Sequence, residues 1–279
     1  MGLYGQVRAI REAVINDART HLEKSIELNP DYSEAHFQLA LLLKDRGEIK
    51  KAQKHLQKVV ELEENHVEGH YHLALLCHEK KDYEKTRTYY LRTIELDPHH
   101  ADAHYHFALF LEEQEEYIEA KNLLQKTTDI EQNHTQAYYR LARLLTDPDD
   151  YDLAKQNYQI AVDIDPDFAE AHYYLGKLLA VGRRINEDGT LVIEPEYESA
   201  REHFKKAIEL NQDNHKAHFN MGKTLAKEKE YASAEEHFLR AIEIHPDYAK
   251  AHYQLALLLI ELGRLIPEHP EDAKKASQS

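Results

Sequence analysis

Glu34-Ala35-His36-Phe37-Gln38-Leu39-Ala40 recurs down the chain, and the recurrence decides the fold. It returns as Glu68-Gly69-His70-Tyr71-His72-Leu73-Ala74 and as Asp102-Ala103-His104-Tyr105-His106-Phe107-Ala108. Gln136-Ala137-Tyr138-Tyr139-Arg140-Leu141-Ala142 and Glu170-Ala171-His172-Tyr173-Tyr174-Leu175-Gly176 follow, each step being 34 residues. A 46-residue step leads to Lys216-Ala217-His218-Phe219-Asn220-Met221-Gly222, and a last step of 34 to Lys250-Ala251-His252-Tyr253-Gln254-Leu255-Ala256. A period of this length marks an array of small structural units, each burying its apolar side against the next.

Within a copy, apolar residues fall at helical spacing, as in Leu39, Leu42 and Leu43 followed by Ala52, Leu56, Val59 and Val60. Each copy therefore reads as two helices. A polar turn, Lys44-Asp45-Arg46-Gly47 in the first copy, separates them, with Gly47 able to take the left-handed conformation that ends a helix. Between copies, Asn29-Pro30-Asp31, Asp97-Pro98, Asp165-Pro166-Asp167 and His245-Pro246-Asp247 stop the second helix, because proline lacks the N–H and restricts the residue before it.

Composition agrees. The chain has 279 residues with 9 Gly and 8 Pro, which favours helices over a turn-rich β fold. Its 51 acidic and 35 basic side chains give a net charge of −16, which argues against a nucleic-acid binder. No apolar run is long enough to span a bilayer and no secretory leader is evident, so no membrane partner is expected. The single Cys77 excludes an internal disulfide framework and fits a reducing, cytoplasmic setting. No phosphate-cradling Gly motif, His-Glu-x-x-His or Gly-x-Ser-x-Gly occurs, so neither catalysis nor a cofactor is expected.

With these residues in hand, the chain resembles the tetratricopeptide repeat (TPR) family. It has Leu or Phe then Ala or Gly in the first helix. The second helix carries Ala and a large residue, as in Ala52 and Leu56, Ala120 and Leu124, Ala154 and Tyr158, Ala200 and Phe204, Ala234 and Phe238. The second copy carries Thr86 and Thr93 in slots that are usually small and apolar, an expected place of looser packing. The resemblance implies an all-α, right-handed superhelical solenoid. A partial repeat or capping helix covers 1–32, in which 15–28 reads as a second helix and Gly2 to Val14 as a poor match to the helix before it. Seven repeats follow at 33–66, 67–100, 101–134, 135–168, 169–214, 215–248 and 249–279. The fifth carries a 12-residue insertion near Arg183–Pro195, where Asp188-Gly189 reads as a hairpin turn and a candidate contact point. The last has a truncated second helix, and both ends read as those of a fragment.

In such a solenoid the first helices line a concave groove that holds an extended segment of a partner protein. The resemblance puts Phe37, Tyr71, Tyr105, Tyr139, Tyr173, Phe219 and Tyr253 in that groove, either as contacts or as packing. Four residues further along each helix, Leu41, Leu75 and Leu109 give way to Arg143, Lys177 and Lys223 before Leu257. With Arg140, Lys216, Asn220 and Lys250 these form a cluster suited to an acidic segment or a C-terminal carboxylate. The opposite reading is that they are solvated faces paired with nearby acids. Some family members grip a C-terminal carboxylate with two Lys, two Asn and an Arg. Asn220 and Lys250 match those slots, while Tyr173, Lys177 and Gln254 replace the rest.

Six copies carry His in the column His36, His70, His104, His172, His218 and His252, expected to pack between helices where the family has Trp. His66 with His70, and His100 with His104, have helical spacing but no carboxylate motif completes a metal site. Protonating all 20 His would carry the charge from −16 to +4, so stability or association should depend on pH below about pH 6. The functional expectation is a non-catalytic peptide-binding scaffold. The alternatives are the regulatory or targeting arm of a larger enzyme, and a module that self-associates through its terminal repeats.

Overall fold

A computed structural model describes residues 3–182, 184–185, 191–192 and 194–265. The chain divides into two compact units, Met1–Gln132 and Asn133–Ser279. The first comprises α1 (Leu3–Leu28) and three helix pairs: α2 (Ser33–Asp45) with α3 (Ile49–Leu62), α4 (Val67–Glu79) with α5 (Tyr83–Leu96), and α6 (Ala101–Glu113) with α7 (Tyr117–Ile130). The second comprises α8 (Thr135–Leu144), a 3-10 turn (Pro148–Asp150), α9 (Tyr151–Ile164), α10 (Ala169–Leu179), α11 (Tyr197–Leu210), α12 (His215–Lys227), α13 (Tyr231–Ile244) and α14 (Ala249–Leu265). Where 15–28 reads in the sequence as a separate helix, α1 runs unbroken through Val14, since no Gly or Pro interrupts Gln6 to Leu28.

The connections within every described pair but α8–α9 follow one design. The last core residue of the first helix offers its carbonyl to the N–H five residues on: Glu48 to Leu43, Asp82 to Cys77, Glu116 to Leu111 and Glu230 to Leu225, each 2.9 Å. Gly47, Lys81, Glu115 and Lys229 take positive φ to make this closure. In the fifth repeat Glu196 closes on Leu179 at the same 2.9 Å, so the insertion is looped out of an otherwise ordinary turn. Its described part holds β1 (Arg184–Ile185) antiparallel to β2 (Leu191–Val192), with Ile185 opposite Leu191. The expected Asp188-Gly189 turn lies outside the described residues.

Pairs pack through a small residue on the first helix against a large one on the second. Ala40 and Leu56 are both fully buried. In the last two full pairs the small residue is glycine: a Cβ on Gly222 would stand 2.9 Å from the Phe238 ring, and one on Gly176 3.0 Å from Phe204. Gly222→Ala is therefore expected to destabilise the second unit by about 1 kcal/mol, overpacking exceeding the helix-propensity gain. Combined with Phe238→Leu, which restores the Ala/Leu pairing, its cost should shrink. A double-mutant cycle in urea that came out additive would refute the coupling.

The two buried threonines of the second repeat are satisfied locally, while the Tyr90 hydroxyl and the Ser33 hydroxyl are buried without a partner among the described residues. Thr86 and Thr93 are fully buried, and their hydroxyls donate to the carbonyls of Asp82 (2.8 Å) and Tyr89 (2.9 Å). Cys77 is buried as well, and burial pushes its thiol pKa up, which keeps it a packing residue. Among the described residues no helix is long and apolar enough to cross a membrane.

Candidate functional site

The histidine column is buried in five copies, with His252 the exposed exception on α14. Its Nε2–H groups donate six residues back, from His36 to Pro30 O (2.9 Å), His104 to Pro98 O (3.0 Å) and His172 to Pro166 O (3.1 Å), tying each first helix to the turn before it. That fixes the tautomer and leaves Nδ1 as an acceptor. It meets Nδ1 of a second-helix histidine in three copies: His36 with His55 (2.9 Å), His172 with His203 (2.9 Å) and His218 with His237 (3.0 Å). The other histidines with helical spacing have a different task. His66 and His100 are N-caps whose Nδ1 accepts from the N–H of Gly69 (3.0 Å) and Ala103 (3.2 Å), an unusual use of His. Among the described residues no group of three or more His, Cys, Asp or Glu is placed to hold a metal.

The aromatic column divides by burial. Phe37, Tyr71, Tyr139 and Phe219 are buried, Tyr105 and Tyr173 are half-buried, and Tyr253 is 61% exposed. The cover comes from the residue just before the next first helix: His66 over Phe37 (4.9 Å between ring centres), His100 over Tyr71 (4.8 Å), Phe168 over Tyr139 (4.9 Å) and Tyr248 over Phe219 (5.1 Å). Behind Tyr173 that position is Asn214, and its ring stays partly open. Tyr71 and Tyr139 are thus largely covered by the rings that follow them. Tyr71 and Tyr105 belong to the first unit, where Tyr71 also packs against His72 (5.2 Å).

The remaining candidates converge in the second unit. One cleft of about 660 Å3 takes Tyr173 and Lys177 from α10, Lys216, Phe219, Asn220 and Lys223 from α12, and Lys250 and Tyr253 from α14. Spacings of three, four and seven residues put these side chains on one face of each helix. Tyr174, Tyr248, Ala249 and Gln254 complete the lining. Sequence reasoning had not assigned Tyr174 or Tyr248 to the site, although Tyr248 stands in the column of covering residues just described. All five positions of the carboxylate-gripping pattern, 173, 177, 220, 250 and 254, line this one cleft.

Charge sets the cleft apart. Its twelve lining residues include four lysines and no Asp or Glu. Four second-helix cations of this unit are paired, Lys155 with Glu196 (2.7 Å), Arg201 with Glu230 (2.6 Å), Lys206 with Asp167 (3.1 Å) and Arg240 with Glu243 (2.6 Å). Lys177, Lys216, Lys223 and Lys250 are exposed and form no ion pair with a described carboxylate. Lys223 stands 5.7 Å over Phe219 and Lys177 5.8 Å over Tyr174, which steadies both ammonium groups. The Asn220 amide donates to the Lys216 carbonyl (2.9 Å) and to the Tyr173 hydroxyl (3.3 Å). Burial, reinforced by Tyr174 and Tyr248, pushes Tyr173 up to about 12, so its O–H is retained as a donor. Arg143 lies in an adjoining pocket with Lys177, its guanidinium 5.7 Å from the centre of the buried Tyr139 ring. Arg140 is half-buried on α8 and lines neither.

Family models described as tetratricopeptide repeats match residues 21–54 and 237–266, 67–100, and 215–248, and one described as TPR repeat matches 142–180 and 194–229. No curated protein sequence matches the chain. Among solved structures, YrrB, titled a TPR protein with an unusual peptide-binding site, is 24% identical over 71% of this chain and 96% of its own, with a TM-score of 0.61. The pilF protein of Pseudomonas aeruginosa is 17% identical over 80% of this chain and 96% of its own, TM-score 0.63. The C-terminal part of a TPR repeat-containing protein from Cytophaga hutchinsonii is 12% identical over 88% and 96%, TM-score 0.65. At these identities the structures support the fold alone, an all-α helical repeat solenoid. The residue period, the helix pairs and the family matches agree, and the chain belongs to the tetratricopeptide repeat family.

Proposed function

We infer that the second unit holds an extended acidic segment of a partner protein, its carboxylates set against Lys177, Lys216, Lys223 and Lys250. This is one specific form of the protein-interaction scaffolding that TPR repeats support generally. The observation that carries it is the lysine cleft itself: four cations with no ion pair to a described carboxylate and no acid in the lining, in a chain of net charge −16. Clustered charge of the minority sign costs self-repulsion that a bound polyanion relieves. The Tyr173 hydroxyl, which accepts from Asn220, still has its own proton to give, and the Asn220 carbonyl oxygen can accept from a ligand N–H. A terminal carboxylate with a neighbouring side-chain carboxylate would meet the same donors.

The test uses short fluorescein-labelled peptides of Asp, Glu and Ser, read by anisotropy. Lys216→Glu, Lys223→Glu and Lys250→Glu together should weaken binding about 10- to 100-fold, from up to ~1 kcal/mol for each lost pair. Binding should also fall as salt rises. Equal affinity of the triple variant and the parent protein would remove the cleft from consideration.

A further inference from the structure

We propose that the pocket beside the lysine cleft takes one bulky apolar side chain of the bound acidic segment, next to one of its carboxylates. The inference rests on the reading of the cleft as an acidic-peptide site and adds the sequence class of that peptide. The pocket has a volume of about 470 Å3, within the range of small-ligand clefts, and shares Tyr174 and Lys177 with the cleft.

It exists because the fourth repeat breaks the common turn. α8 has 10 residues where α2, α4, α6 and α12 have 13. Asp150 would be the residue to close on Leu145, but its N–H goes instead to Asp147 O at 2.9 Å. The final turn present in α2, α4, α6 and α12 is therefore missing, and the space it would occupy is bounded by Leu145, Tyr151, Tyr158, Leu178 and Val181. Val181 is 57% exposed, an apolar side chain in the wall that a ligand would cover.

Charge and geometry choose the occupant. Arg143 and Lys177 stand 5.6 Å and 5.8 Å from the centre of the Tyr174 ring, so one ring holds both cations beside an apolar cavity. Asp147, the one acid in the lining, leaves the rim with a net positive charge. An aromatic or branched aliphatic residue flanked by Asp, Glu or a terminal carboxylate satisfies both. A segment already lying along Lys177 reaches the pocket without leaving the protein surface.

The experiment compares labelled Asp/Glu/Ser peptides that carry one Phe with the same peptides carrying Ala. On the parent protein the Phe peptides should bind on the order of 10-fold tighter, the worth of burying one large apolar side chain. Thr146→Trp, an exposed position in the pocket lining, should occupy the pocket from within and reduce that preference to less than about twofold. Val181→Gln should act in the same direction. Lysine-dependent binding with no Phe preference overturns the pocket and leaves the cleft reading standing. If no acidic peptide binds at all, the cleft reading fails and the pocket assignment falls with it.

Discussion

Lowering the pH from 7 to 4.5 is expected to cost each unit about 2 to 3 kcal/mol of unfolding free energy from a single histidine. His72 in the first unit and His203 in the second are both held down to about 4. For His72 the largest cause is burial, followed by Lys44 and His100; for His203 it is burial, then His172. A histidine whose folded-state pKa is depressed binds its proton more readily in the unfolded chain. Its contribution is therefore complete above about pH 6.5 and is lost as pH falls toward 4. The loss per group is about 1 kcal/mol at pH 5.5. His55, His104, His172, His218 and His237 are also lowered, burial being the first cause for each, and act in the same window. The pair geometry adds a limit. With the Nδ1 of His172 closed by its bond to His203, an added proton goes to Nε2 of His203, and a second would set two donors face to face. Urea midpoints at pH 7.5, 6.5, 5.5 and 4.5 measure the slope. His203→Asn, which keeps an amide donor for His172, should flatten it in the second unit. An unchanged slope would show that the pairs do not carry the effect.

The 34-residue period was legible because it needs only residue identity, and the proline breaks located the turns from the same information. The change from Leu41, Leu75 and Leu109 to Arg143, Lys177 and Lys223 likewise marked where the lysine cleft lies. Burial of the aromatic column was not legible from that column. A ring at Tyr71 and one at Tyr173 look the same in sequence, and what separates them is His100 at the next cap against Asn214. Nor was the pairing state of the lysines: whether a cation finds an acid depends on which helix of the next repeat faces it. Arg201 sits on α11 within reach of Glu228 and Glu230, while Lys223 sits on α12 where the lining has no acid. The pocket left a trace in Thr146-Asp147-Pro148, which stands where the other copies have their last helical turn. That trace says the helix ends early, and only the packing of Tyr151, Tyr158 and Val181 around the gap shows that the space stays open.

Gly182→Ala should be the costliest of the glycine-to-alanine changes at the described glycines, about 3 kcal/mol or more in the second unit. Gly47→Ala, in the comparable turn of the first repeat, should cost only about 1 kcal/mol. The two glycines have nearly the same backbone, φ +72° and +74°, so the price of a left-handed alanine is common to both. Their surroundings differ. A Cβ at Gly47 meets nothing within 4 Å, whereas at Gly182 it would fall 1.5 Å from the Glu194 carbonyl oxygen and 2.1 Å from Pro195 N. Those are backbone atoms, so the peptide itself has to move and no rotamer change relieves the clash. Displacing it pulls on Glu196, which caps α11, closes the turn on Leu179 at 2.9 Å and pairs with Lys155 at 2.7 Å. In a repeat array each unit is stabilised by its neighbours, so a loosened α10–α11 connection also weakens the stacking of α12 on α11. The lysine cleft spans α10, α12 and α14, and acidic-peptide binding by Gly182→Ala should therefore weaken along with stability. In Gly47→Ala, which alters the other unit, it should hold. Equal urea midpoints for the two variants would mean that the insertion's return strand yields freely, and that the shared Leu179–Glu196 closure does not keep this repeat in register.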